Sequence, residues 1–79
     1  MKKVEFDIEL AKKVANHEIE GKFVTRNGQN IRIICFDMVG KAPIVALVTI
    51  DGLEYIRQYS EHGVCFGIND KDRDLLIEI

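Results

Sequence analysis

The sequence predicts a small α+β domain, mainly β. One N-terminal helix is followed by a five- to six-stranded antiparallel meander, built as a small SH3-like barrel or a strongly twisted sheet. Three observations carry this reading. Apolar residues recur at helical spacing behind Asp7. From Lys22 onward the apolar period changes to two. The dipeptides Asn27-Gly28 and Asp51-Gly52 each separate a pair of alternating segments.

The helix is expected over about residues 8–17. Ile8, Ala11, Val14 and Ala15 form one stripe, widened by Leu10, while Lys12, Lys13 and Asn16 fall on the other side. Asp7 suits the N-cap, where a carboxylate accepts from free first-turn N–H groups, and Glu9 suits the positive end of the dipole. Phe6 precedes the cap and is placed to fold onto Leu10 or Ala11. Gly21 marks the break before the strands.

The first hairpin takes strands at about 22–26 and 30–36. Asn-Gly is the strongest short hairpin signal, because a type I′ turn needs positive φ at both central residues. A two-residue turn at Asn27-Gly28 sets Val24 opposite Ile31, Lys22 opposite Ile33, and Phe23 opposite Arg32 on the other face. The second hairpin takes about 44–50 and 53–59 around Asp51-Gly52. Its register pairs Ile50 with Leu53, Val48 with Tyr55, Ala46 with Arg57 and Ile44 with Tyr59. Strand 44–50 is apolar on both faces, which predicts a central strand with a core on one side and a cover on the other. Ser60-Glu61-His62-Gly63 reads as a turn, 64–66 as a short strand, Asn69 to Asp74 as a polar loop, and 75–78 as the closing strand.

At 79 residues the chain is one domain, 1–79, with no room for a cofactor-binding half beside a substrate half. With 47% hydrophobic and 30% charged residues it is neither a disordered nor a low-complexity chain. The 11 Lys and Arg against 13 Asp and Glu leave no global basic field for nucleic acid or an anionic membrane. The longest apolar run, Ala42 to Ile50, is too short to span a bilayer. Glu5 and Asp7 interrupt any secretory signal, so a cytoplasmic location is expected.

Chemistry-bearing constellations are sparse. Cys35 and Cys65 both sit in apolar strand contexts, as buried thiols do. With His17 and His62 they have the count of a zinc site, but only His62-x-x-Cys65 has a tight spacing. Asp70, Asp72 and Asp74 alternate, yet an EF-hand counted from Asp70 meets Leu75 where it needs Gly. Glycine-rich phosphate loops are absent. The expectation is no metal, no cofactor and no enzymatic activity.

The remaining candidates are surface residues. Tyr55, Arg57 and Tyr59 alternate on one face of one strand, and all three are types enriched at protein interfaces. That face predicts a non-catalytic protein-interaction module, with a protein partner or a second copy in a homo-oligomer. The alternative is a small β-barrel that binds single-stranded nucleic acid through the same face with Arg32 and Arg26. The acidic balance disfavours it.

The segments Phe6 to Lys13, Gly21 to Gly28, Arg32 to Asp37 and Pro43 to Val48, with the closing Leu75-Leu76-Ile77-Glu78-Ile79, span nearly the whole chain. In this pattern the sequence is similar to small uncharacterised proteins of bacterial phage or conjugative mobile elements. The resemblance carries no catalytic motif and transfers no functional residue. It implies an accessory role in the cytoplasm of a host cell.

Overall fold

The change from helical to alternating periodicity is realised along the computed structural model, which describes residues 2–67 and 70–79. Ile68, and Asn69 at the start of the expected polar loop, lie outside the described residues. The elements in chain order are β1 (Lys3–Glu5), α1 (Ile8–Ala15), β2 (Lys22–Thr25), β3 (Asn30–Cys35), β4 (Ile44–Ile50), β5 (Leu53–Tyr59), a single 3-10 turn (Lys71–Arg73) and β6 (Leu75–Glu78). They form one helix and a six-stranded antiparallel sheet of order β1-β6-β2-β3-β4-β5. The sheet is not closed, since β1 and β5 are its two edges. The mainly-β α+β class expected from the sequence is therefore observed.

The helix buries Ala11 and Val14, and its start differs from expectation in one respect. Asp7 holds the N-cap position with extended backbone, but its carboxylate makes no capping bond. The helix ends in a Schellman motif. His17 N–H donates to Val14 C=O and Glu18 N–H to Lys13 C=O, with His17 at φ 61 where glycine is usual. That left-handed residue stops the helix at Ala15, inside the expected 8–17 span.

The first hairpin departs from its expected register by one residue. Phe23 pairs with Ile31 and Val24 with Asn30. Thr25 N–H donates to Gln29 C=O, so the connection is the three residues Arg26-Asn27-Gly28, with Gly28 at φ 87. This is the three-residue hairpin with a left-handed glycine in its last position. Packing explains the slip. A two-residue turn sets Phe23 and Arg32 on a shared face, whereas the observed register sets Phe23 beside Ile31 in the core and leaves Arg32 outside. The fully buried Thr25 hydroxyl helps fix the loop by accepting from Gln29 N–H at 3.0 Å.

The second hairpin matches the expected register along its whole length, from Ile50↔Leu53 to Ile44↔Tyr59. Asp51 and Gly52 both take positive φ, 51 and 81, as a two-residue type I′ turn requires.

Strands β2 to β5 are sequential neighbours, as a meander is. β6 instead crosses back to pair with β2, setting Phe23 opposite Ile77 and Thr25 opposite Leu75. β1 then adds outside it through Val4↔Ile77. β1 was not expected from the sequence. It is three residues long and carries Lys3 and Glu5, too short and too charged to show a period. The expected strand 64–66 is reduced to one bridge, Tyr59↔Cys65. The Cys65 N–H turns away from β5 and donates to the Asp74 carboxylate at 3.1 Å.

One face of the sheet carries the core. Phe23, Ile31, Ile44, Ala46, Val48, Tyr59, Leu75 and Ile77 pack beneath Ala11 and Val14 of the helix. Gly63 closes this core beside the helix entry. A side chain there would meet Phe6 at 2.7 Å, and Gly63 also has φ +79. The opposite face is different. Val45, Leu47 and Ile56 stand on it, Ile56 is 73% exposed, and no element among the described residues lies over it. The cover expected for both faces of β4 is thus present on one only.

Candidate interaction surface

The alternation of β5 sets where each candidate residue points. Tyr55, Arg57 and Tyr59 do share a face, but it is the core face. Tyr55 sits at its open end and is 49% exposed. Arg57 is half-buried at the rim. Tyr59 is fully buried. The expectation that Tyr59 offers a contact surface is therefore corrected: it is a core side chain. Burial pushes the Tyr59 phenol above its usual range, and the nearby Arg57 guanidinium opposes part of that rise. The guanidinium lies close enough to influence the hydroxyl, yet neither the Tyr59 hydroxyl nor Arg57 Nη1 has a partner at full hydrogen-bond distance and angle.

The other two arginines do not join this face. Arg32 lies on the outer side of β3, where Nε and Nη2 bind the Glu54 carboxylate at 2.6 and 3.0 Å. The hydrogen bond and then the charge of Glu54 raise the Arg32 pKa, and the same hydrogen bond holds the Glu54 carboxyl below its usual value. Arg26 Nη2 reaches Glu5 at 2.5 Å from the loop after β2. Arg26 and Arg32 are thus each matched by a carboxylate, and neither meets the Tyr55 and Arg57 side chains in the cleft described below.

What the fold does bring together lies at the end of β5. The chain returns after the Ser60–Gly63 turn, and Phe66 N–H donates to Gln58 C=O at 2.9 Å on the outer side of β5. Between this return and the strand is a cleft of about 490 Å³, lined by Tyr55, Ile56, Arg57, Phe66 and Arg73 among others. Phe66 is 53% exposed there. Arg73 Nε contacts Asp70 at 3.4 Å. Phe66 and Arg73 were not singled out by the sequence, because nothing local marks them; only the fold-back places them beside β5.

The same backbone phase exposes the edge. In an antiparallel ladder, successive residues turn their N–H and C=O alternately to each side. Gln58 faces outward to Phe66, so Glu54 and Ile56 also turn theirs outward. Among the described residues, no strand lies beside that outer side from Leu53 to Arg57. Leu53 is 62% exposed, so the edge is flanked by apolar side chains as well as unpaired backbone.

The cysteines and histidines remain apart. Cys35 is in β3, His17 ends the helix, and His62 is in the exposed Ser60–Gly63 turn. Among the described residues no group of three or more His, Cys, Asp or Glu side chains is placed to hold a metal ion. Burial raises the Cys65 pKa, which keeps its thiol protonated rather than nucleophilic. No helix among the described residues is long and apolar enough to cross a membrane. No family model, curated protein or solved structure matches the chain.

Proposed function

We propose that this domain is a non-catalytic protein-interaction module that binds an extended segment of a partner protein along the free edge of β5. One observation carries the reading: among the described residues, Leu53 to Arg57 present an unpaired edge beside the exposed Leu53, Tyr55 and Ile56. An added strand gains main-chain hydrogen bonds and apolar contacts together. The exposed Ile56 and half-buried Leu47 continue the apolar surface onto the outer face of the sheet. The nucleic-acid alternative fares worse, because Arg26 and Arg32 are already paired with carboxylates and Tyr59 has no free ring face. The mobile-element setting rests on the sequence resemblance alone.

The test uses the phase of the strand. Ile56→Pro removes an outward N–H while leaving the bonds to β4 intact, and proline is tolerated at such edge positions. Affinity purification of the tagged chain is compared for wild type, Ile56→Pro and Ile56→Thr. A partner retained by wild type and Ile56→Thr but lost with folded Ile56→Pro supports strand addition. Equal retention by all three refutes it. Size-exclusion chromatography with light scattering over a concentration series shows whether a second copy takes the same edge.

A further inference from the structure

We propose that the β5 edge and its cleft capture the free C-terminus of an extended peptide, with Arg57 binding the terminal carboxylate. The inference rests on the strand-addition reading above and names the chemistry of its partner.

The edge is open at one end and blocked at the other. A guest strand lying beside Leu53 to Arg57 meets the Phe66–Gln58 hydrogen bond at its far end. A chain that follows the edge must therefore stop there or turn away. At that block stands Arg57. Of the four arginines, Arg26, Arg32 and Arg73 each have a carboxylate within 4.0 Å, and Arg57 alone has none among the described residues. Its Nη1 is buried and makes no hydrogen bond, and the side chain lines the cleft. A half-buried guanidinium without a counter-charge is costly unless an anion pairs with it.

The neighbouring carboxylates do not fill that role. Asp70 is engaged by Arg73 and by the N–H of Asp72. Asp74, whose charge reaches the same Tyr59 and Cys65 side chains as that of Arg57, accepts from Cys65 N–H at Oδ1 and forms no ion pair with Arg57. The charge fixes the direction of the guest. A C-terminus at the block runs parallel to β5 and delivers a carboxylate to Arg57, whereas an N-terminus delivers an ammonium to a cation. Tyr55, Ile50 and Phe66 line the rest of the cleft, so the last side chain of the guest is apolar.

The experiment screens the purified domain against two libraries of random heptapeptides, one displayed with free C-termini and one displayed internally with both ends blocked. The best peptide from the free-ended library is synthesised as its acid and as its amide, and binding is followed by fluorescence anisotropy. Expected is enrichment of apolar C-termini from the first library, an acid bound at least about tenfold more tightly than the amide, and loss of that preference in Arg57→Gln with partial recovery in Arg57→Lys. Acid and amide bound equally, or no enrichment from the free-ended library, overturns carboxylate capture. If the internal library is nevertheless enriched and its binding is lost in Ile56→Pro, strand addition stands without this inference. If neither library binds, both fail. The acid-to-amide ratio in the unmodified chain holds the test even if the Arg57 variants fold poorly.

Discussion

Replacing Tyr59 by phenylalanine should stabilise this domain. The side chain is fully buried at the end of β5. Its hydroxyl has no hydrogen-bond partner, and a buried polar group left unpaired costs roughly 1–3 kcal/mol. Phenylalanine keeps the ring and removes that cost, so a gain of about 1 kcal/mol is expected after allowing for the small void left by the oxygen. In a domain of this size that corresponds to a rise of about 4–8 °C in Tm. The pH dependence supplies an independent sign. Burial raises the Tyr59 pKa above 10.0. Above the unfolded value the unfolded chain loses the phenolic proton while the folded chain keeps it. Unfolding then releases a proton, and stability falls as pH rises, by at most about 1.4 kcal/mol per pH unit from this group. Tyr59→Phe should remove that part of the alkaline fall. Urea unfolding followed by circular dichroism, at pH 7 and at steps from pH 9 to 11, measures both effects. A Tyr59→Phe variant less stable than wild type by more than about 1 kcal/mol means the hydroxyl has a partner, and refutes the reasoning.

Tyr59→Ala should cost about 3–5 kcal/mol and unfold much of the population, since a domain this small has little more stability than that to lose; thermal melts check it. Gly63→Ala should destabilise more than Gly52→Ala, because both take positive φ but only Gly63 also faces Phe6 at 2.7 Å; the difference in urea midpoints measures the steric part. The Glu54 carboxyl should titrate below the ordinary range by carbon-13 NMR and return toward it in Arg32→Ala, because the Arg32 hydrogen bond is the leading cause of the shift. Cys65 is buried with a raised pKa, and Cys35 is half-buried, so a thiol reagent at pH 8 should give one fast and one slow phase, with the fast phase lost in Cys35→Ala.

The parts of the fold that local chemistry dictates were readable in the sequence. Asp51-Gly52 admits one turn geometry, and the alternation of Ile44–Ile50 against Leu53–Tyr59 then leaves one register. Asn27-Gly28 looked equally firm but was outvoted. Phe23 and Ile31 gain more by sharing the core face than the loop gains from a two-residue turn, so the chain spent a third residue on the connection. β1 and the crossover of β6 were not readable, because three-residue strands carry too few positions for a period and non-local pairing leaves no trace in local spacing. The candidate site divides along the same line. That Tyr55, Arg57 and Tyr59 share a face follows from period two. Which face, and how deeply each residue sits in it, depends on the helix and on the return of Cys65 and Phe66, which the four strands β2 to β5 separate from α1 along the sequence.

Depth along that one face is what separates structure from function in β5. Successive residues on it stand about 6.6 Å apart, two strand rises, and that step carries the environment from open rim to closed core. Tyr55 remains half-exposed, Arg57 straddles the boundary, and Tyr59 is sealed. A tyrosine suits either extreme, because its ring gains from burial and its hydroxyl tolerates water. An arginine at the boundary has no such choice, since its charge must meet water, a carboxylate of the fold, or a ligand. Arg26 and Arg32 find Glu5 and Glu54 across neighbouring elements. For Arg57 the fold supplies Phe66, Arg73 and a cleft instead. Among the described residues, the one guanidinium without a carboxylate within 4.0 Å stands where the strand edge ends, and that coincidence of charge and blocked edge is what the proposed recognition site rests on.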